Sequence, residues 1–229
     1  MVANEGDVME QITSKVDQFG FIMQQNVIEN EFNRKYGPLV TIQQGMAIEF
    51  SVMGANDLYL DLNSSSLHVF AKITKADGTN IDKDTTGPIK LMLHSIFREI
   101  GLELNDQNVG DTSQLYQYSS YLETLLNYCQ ETQETRYLCE GWTKDTTGHL
   151  NVTVVGENNA GLNARATTFA KSKVVELVRR PNLNVFYQER LIPPKLDLHM
   201  KLIPSPNKIL CKSAAPGQVA QLENCKLVI

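Results

Sequence analysis

The sequence predicts an all-β fold: an eight-stranded antiparallel jelly-roll sandwich with one amphipathic helix inserted between strands. Three observations lead there. From Gln43 onward apolar residues recur in steps of two, as in "MAIEFSV" and "LDLHMKLI", the period of a strand with one buried face. Turn residues separate these runs, and few helical patterns lie between them, so a parallel βαβ order is not available. One octet, "YLETLLNY" at 121–128, carries helical spacing instead.

The elements follow in order. Met46, Ile48, Phe50 and Val52 share one face of a first strand, and Gly54 ends it. Leu58, Leu60 and Leu62 alternate with Tyr59 and Asp61. Leu67, Val69, Ala71 and Ile73 alternate with His68, Phe70, Lys72 and Thr74, and Asp77-Gly78 is a strong turn signal after them. Ile89, Leu91 and Leu93 resume the alternation, as do Ile100, Leu102 and Leu104. "LNDQNVGDTS" then stops it, with Asp111, Thr112 or Ser113 as the expected N-cap. The helix is expected over about 113–133. Its stripe of Leu115, Tyr118, Leu122, Leu125, Leu126 and Cys129 is expected to cover one end of the sandwich. Leu150 to Val155, "SKVVELVRR" and "NVFYQERL" are further candidate strands. Leu196, Leu198, Met200 and Leu202 form a clean one between proline pairs.

Residues 1–38 read as a polar N-terminal arm and 39–229 as a single jelly-roll domain. The chain ends on apolar Leu227, Val228 and Ile229, so the last strand is expected either to pair inside a sheet or to lead into further chain.

Composition narrows the function. The chain has 229 residues, 42% hydrophobic and 21% charged, as folded soluble proteins do. A net charge of -5 argues against general nucleic-acid binding, which draws on a basic surplus. No stretch approaches the roughly 18 consecutive apolar residues of a membrane span, and the acidic start has no secretory h-region. Cys129, Cys139, Cys211 and Cys225 form no C-x-x-C pair and read as reduced thiols, mostly buried.

Chemical motifs are sparse, and no catalytic, cofactor-binding or metal-binding residue is assigned; the chain is not expected to be an enzyme. There is no G-x-S-x-G and no phosphate-cradling glycine loop. His68, His94, His149 and His199 are scattered and read as surface or rim histidines rather than metal ligands. Asp57 and Asp61 flank "LYL", where an aspartate beside "LNSSS" supplies turn hydrogen bonds. The basic run "KSKVVELVRR" reads as a solvated strand face.

Four segments in order carry a family resemblance: "NDLYLDLNSSSLHVFAKITKADGTNI" (56–81), "YQYSSYLETLLNYCQETQETRY" (116–137), "NAGLNARATTFAKSKVVELV" (159–178) and "LDLHMKLIPSPNKILCKS" (196–213). Together they resemble the major capsid proteins of Polinton (Maverick) elements and adintoviruses, over about residues 45–229. The resemblance implies a double jelly-roll capsid protein, three copies of which form a pseudo-hexagonal capsomer in an icosahedral shell. This chain has room for the first jelly roll only. It therefore reads as the N-terminal half of such a protein, with a second jelly roll C-terminal to it, or as the product of a shortened gene. The implied partners are other copies and neighbouring capsid proteins. The implied location is the virion, after an intracellular stage in the host. Long loops such as Thr143–Gly148 and Gly156–Thr168 are then candidates for contacts between subunits.

Two other classes stay open. A carbohydrate- or ligand-binding jelly roll needs exposed aromatics, for which Tyr59, Phe70, Trp142 and Tyr187 are the candidates. A cupin-like metalloenzyme needs clustered His and Glu on neighbouring strands.

Overall fold

The computed structural model describes residues 30–81, 86–110, 113–206, 210–213 and 217–229. The chain divides into two units, Met1–Phe32 and Asn33–Ile229, and every strand and helix named below belongs to the second. Residues 1–29 of the expected arm lie outside the described residues, as do the expected N-cap candidates Asp111 and Thr112.

The strands are β1 (Lys35–Tyr36), β2 (Ile48–Val52), β3 (Ser66–Lys75), β4 (Thr86–Pro88), β5 (Phe97–Leu104), β6 (Gln107–Asn108), β7 (Val175–Arg179), β8 (Leu198–Pro204), β9 (Cys211–Ser213) and β10 (Gln218–Val228). The α-helices are α1 (Met92–Ser95), α2 (Tyr116–Asn127), α3 (Gln130–Thr135) and α4 (Ala160–Thr168). Two four-stranded sheets run β1-β10-β3-β7 and β2-β8-β5-β6, and β4-β9 make a small separate ribbon. All pairs are antiparallel.

Setting the ribbon aside, the pairing is nested. The first sandwich strand pairs with the last (β1·β10), the second with the seventh (β2·β8), the third with the sixth (β3·β7) and the fourth with the fifth (β5·β6). A long hairpin rolled over on itself gives this order, and it is the jelly-roll topology. The rolled hairpin is closed by β10·β3 and β8·β5. The apolar end of the chain pairs in the interior of its sheet: β10 lies between β1 and β3, and the Ile229 N–H donates to the Arg34 carbonyl at 3.0 Å.

The inner faces make one core. Ile48, Phe50 and Val52 of β2 meet Leu198, Met200 and Leu202 of β8, opposite Leu67, Val69, Ala71 and Ile73 of β3, all buried. Two bulges explain where the period of two slips. Register shifts between Phe97 and Glu99 in β5, and between Leu222 and Asn224 in β10. An extra residue reverses side-chain parity. Phe97 therefore shares the inward face with Ile100 and Leu102, and Ala220 shares it with Cys225 and Leu227. At the expected turn, Gly78 has φ 81° and Asp77 Oδ1 accepts the Thr79 N–H at 2.9 Å.

Several expected strands are not strands. Around Leu58, Leu60 and Leu62 only one bridge forms, Leu60 to Ile192, because Asp61 folds the next residues into a turn. The Ile89/Leu91/Leu93 run leaves the ribbon at Pro88 and enters the single turn α1, with Leu91 at φ 54°. Leu91 to Ile96 are all buried, and a segment buried on every side carries no usable period. Leu150 to Val155 forms no strand, and Asn184–Tyr187 within "NVFYQERL" is a 3-10 turn.

Candidate functional site

Between β6 and β7 the jelly roll carries its largest insertion, residues 109–174, which holds α2, α3 and α4. The expected helix over 113–133 is shorter. It starts after Leu115 with no side-chain cap, ends at Asn127, and breaks at extended Tyr128 and Cys129 before α3. "NAGLNARATT" forms α4 rather than a loop, with Asn159 Oδ1 capping it by accepting the Leu162 N–H at 3.1 Å.

The orientation of α2 is the reverse of the expected one. Its buried residues are Tyr116, Gln117, Ser120 and Thr124. The apolar stripe faces outward: Leu115, Tyr118, Leu122, Leu125 and Leu126 are 53, 53, 55, 42 and 80% exposed. The physical reason is that the polar face is well partnered. The Ser205 hydroxyl donates to Gln117 Oε1 at 2.9 Å, and the Asn182 N–H donates to the Tyr116 hydroxyl at 3.0 Å. Thr124 Oγ1 donates to the Ser120 carbonyl, and Gln133 Nε2 donates to the Thr124 carbonyl at 2.9 Å. These hydrogen bonds offset the desolvation cost of burying Tyr116, Gln117 and Thr124, although Ser120 Oγ, also buried, has no hydrogen-bond partner.

Beneath α2 lies a buried polar chain. The Tyr116 hydroxyl is 2.7 Å from His94 Nδ1, and His94 Nε2 is 3.0 Å from Glu140 Oε2. Glu140 is fully buried, and its Oε1 pairs with Arg179 Nε at 3.0 Å. Burial pushes the Tyr116 phenol up, so it keeps its proton. A Tyr116 hydroxyl donating to Nδ1, with the imidazole proton on Nε2 donated to Glu140 Oε2, gives both His94 nitrogens a partner, while Glu140 Oε1 has the Arg179 ion pair but no hydrogen bond. Arg179 also stacks on Tyr137 at 4.7 Å, and Tyr137, Trp142 and Leu91 form a second small core.

A second anchor holds α4. Arg165 Nε donates to the Pro88 carbonyl at 2.8 Å, Nη1 to the Thr143 carbonyl, and Nη2 to Asp145 Oδ1 at 2.7 Å. Lys90 and Lys212 flank the same carboxylate at 3.4 and 3.8 Å. The loop from Thr143 to Gly148 is thereby fixed to the body.

The other candidate residues are spread over the fold. His68 and His199 lie on the outer sheet faces beside Glu176, and beside Glu49 and Glu103. His94 is not a rim histidine; it is 5% exposed. Among the described residues no group of three metal-ligating side chains converges. Asp61 accepts the Asn63 N–H and the Ser64 hydroxyl, as turn chemistry requires. Arg180, from the basic run, stacks on Tyr187 at 4.0 Å and donates to the Asn63 carbonyl at 2.8 Å. Trp142 is 2% exposed and offers no sugar platform, whereas Tyr59 is 62% exposed. Cys225 is buried, with its thiol pushed up to about 12, but Cys129 and Cys139 are exposed, because the segments carrying them lie on the outside of the insertion. A cleft of about 210 Å³ opens between the sheets beside Ala71, Ile96, Arg98 and Ala220. Among the described residues no helix is long and apolar enough to cross a membrane.

Fold and surface together define a jelly-roll β-sandwich protein whose helical insertion presents an exposed apolar face. No protein-family model matches the chain, and no curated protein matches it in sequence. Among solved structures, a Faustovirus major capsid protein is similar at a TM-score of 0.47 and 9% identity, over 97% of this chain and 60% of that one. The chain thus spans about 60% of the length of that solved chain.

Proposed function

We propose that the chain is a structural subunit of a virus shell: the N-terminal jelly-roll half of a double jelly-roll major capsid protein of the Polinton and adintovirus kind. One observation carries this reading. Each of the four segments that resemble that family forms a defined part of one nested jelly roll. Residues 56–81 supply β3, 116–137 supply α2 and α3, 159–178 supply α4 and β7, and 196–213 supply β8 and β9. These placements support the reading.

A shell subunit needs a stiff body and faces for lateral contact. The body is the two-sheet core, and the insertion is pinned to it by the buried Arg165 and Glu140 networks. The exposed stripe on α2 is a ready contact face. In this reading 1–38 is the arm, 39–229 the first of two jelly rolls, and the assembled unit a trimeric capsomer within the virion. Sedimentation velocity and negative-stain electron microscopy on the full chain test it. Oligomers that grow with concentration are expected; a strict monomer at high concentration and at every ionic strength overturns it.

A further inference from the structure

We propose that the cleft between the two sheets binds a small monoanion with an apolar body, a carboxylate about the size of benzoate, and that Arg98 holds its charge. The site goes beyond the shell reading and does not rest on it. Three observations carry it.

The first is the placement of Arg98. β5 pairs Phe97 with Pro204 and Glu99 with Ile203, so Arg98 is the extra residue of the bulge. Bulges re-aim a side chain out of the regular ladder. This one brings Arg98 to the wall of the cleft. Its Nε is buried and has no hydrogen-bond partner. A guanidinium keeps its charge, and a buried donor left unpaired is destabilising. A ligand oxygen beside it removes that loss.

The second is shape. Ala71 pairs with Leu222 and Ile73 with Ala220, so the two alanines are diagonal neighbours on the inner face of β3 and β10. Side chains this short leave a hollow facing the other sheet, walled there by Ile96 and Pro204. The hollow holds about 210 Å³. An apolar cavity of about 150 Å³ takes up benzene. The cleft therefore has room for one ring and a carboxylate, but not for a nucleotide or a folded peptide.

The third is charge. Among the described residues that line the cleft, Arg98 is the one charged side chain. Gln44, Gln221 and Ser205 add neutral polar groups, and the Ser205 hydroxyl is already donated to Gln117. One guanidinium balances one negative charge, whereas a phosphate dianion brings a second into an apolar wall. The guanidinium fork also matches the two oxygens of a carboxylate side by side. No acidic side chain among the described residues lines the cleft, so the ligand supplies that carboxylate.

The test is isothermal titration calorimetry of the full chain with sodium benzoate. One site per chain with a Kd of about 1 mM or tighter is expected. Benzyl alcohol has the ring without the charge, and acetate the charge without the ring. Each should bind at least about tenfold more weakly. Arg98→Met should weaken benzoate at least about tenfold and leave benzyl alcohol unchanged. Ala220→Leu, which fills the hollow from the opposite sheet, should abolish binding of both while circular dichroism stays unchanged. Arg98→Met removes an unpaired charge and keeps the fold, so it carries the test if Ala220→Leu does not fold. Absence of benzoate binding at about ten times the expected Kd overturns the site. Acetate or inorganic phosphate binding as tightly as benzoate overturns it too, because Arg98 then holds any anion. Equal benzoate affinity in the wild type and Arg98→Met places the ligand elsewhere and also overturns it. None of these results changes the oligomer sizes by which the shell reading is judged.

Discussion

Arg165 Nη2 lies 2.7 Å from Asp145 Oδ1, and their side chains are only 2% and 1% exposed. The pair ties α4 to the 143–145 loop, and through Pro88 to the end of β4. Taking two charges out of water is costly, and attraction plus the remaining hydrogen bonds offset that cost only while both partners are present. Asp145→Asn keeps the shape but removes the charge, leaving a buried guanidinium without its carboxylate. It should destabilise the chain by about 3–5 kcal/mol in urea unfolding. The double variant Asp145→Leu/Arg165→Met should lose clearly less. Equal losses would mean the cost lies in packing, not in the stranded charge.

The same pair sets an acid sensitivity. Burial pushes the Asp145 carboxyl up, but the Arg165 hydrogen bond and charge, with Lys90 and Lys212, outweigh it and hold the group below its ordinary 3.8. The unfolded carboxylate takes up its proton near pH 3.9, so the folded state resists protonation longer than the unfolded one. Its contribution is complete above the unfolded value and is lost as pH falls through the depressed folded value. Urea midpoints measured from about pH 6 to pH 2 should fall more steeply below about pH 4 for the wild type than for Asp145→Asn. Parallel curves would show that this carboxylate carries no such linkage.

Leu125→Asp should leave the monomer folded. Leu125 is 42% exposed and its neighbour Leu126 80%, and surface changes away from special features stay within about ±0.5 kcal/mol. Thermal melts at low concentration should superpose on those of the wild type. A collapse of soluble folded protein would mean that the stripe is buried after all, as its spacing taken alone suggests.

That reversal marks the limit of what the sequence carries. Strands with one wet face were legible: β2, β8 and most of β3 follow the period of two, and so does β5 from Ile100, past its bulge. The run from Leu91 to Ile96 was not, since burial on all sides erases the period. Nor was the pair that fixes α4, because Asp145 and Arg165 are 20 residues apart and neither stands in a motif. For α2 the stripe itself was legible but its direction was not. Apolar spacing says that a face will be covered, not whether the cover is the chain's own core. Only the partners of Gln117, Tyr116 and Thr124, brought from Ser205, Asn182 and Gln133, decide it.

Tyr116→Phe probes the buried chain under α2. The change keeps the ring and removes the one hydroxyl that accepts the Asn182 N–H and meets His94 Nδ1 at 2.7 Å. Buried His94 and the part-buried Asn182 N–H lose their partner at once, and leaving a buried group unsatisfied costs about 1–3 kcal/mol. A loss in that range is expected by chemical denaturation. A variant as stable as the wild type would show that water replaces the hydroxyl.

Gly161→Ala tests how closely α4 approaches the loop it anchors. A Cβ at this position would overlap the Lys144 carbonyl and lie 3.0 Å from Asp145 Cα. Every obstructing atom is backbone, so no side chain can swing aside, and either the helix or the loop must move. Moving the loop also shifts Thr143 and Asp145 away from Arg165, so strain and lost hydrogen bonds act together. A loss of about 1–3 kcal/mol is expected, as for overpacked sites generally. Gly37→Ala is the control: its Cβ would meet nothing within 4 Å, and its effect should stay within about 0.5 kcal/mol. If Gly161→Ala is as mild as the control, α4 is not seated against Lys144 in solution, and the proposed rigid mounting of the insertion fails with it.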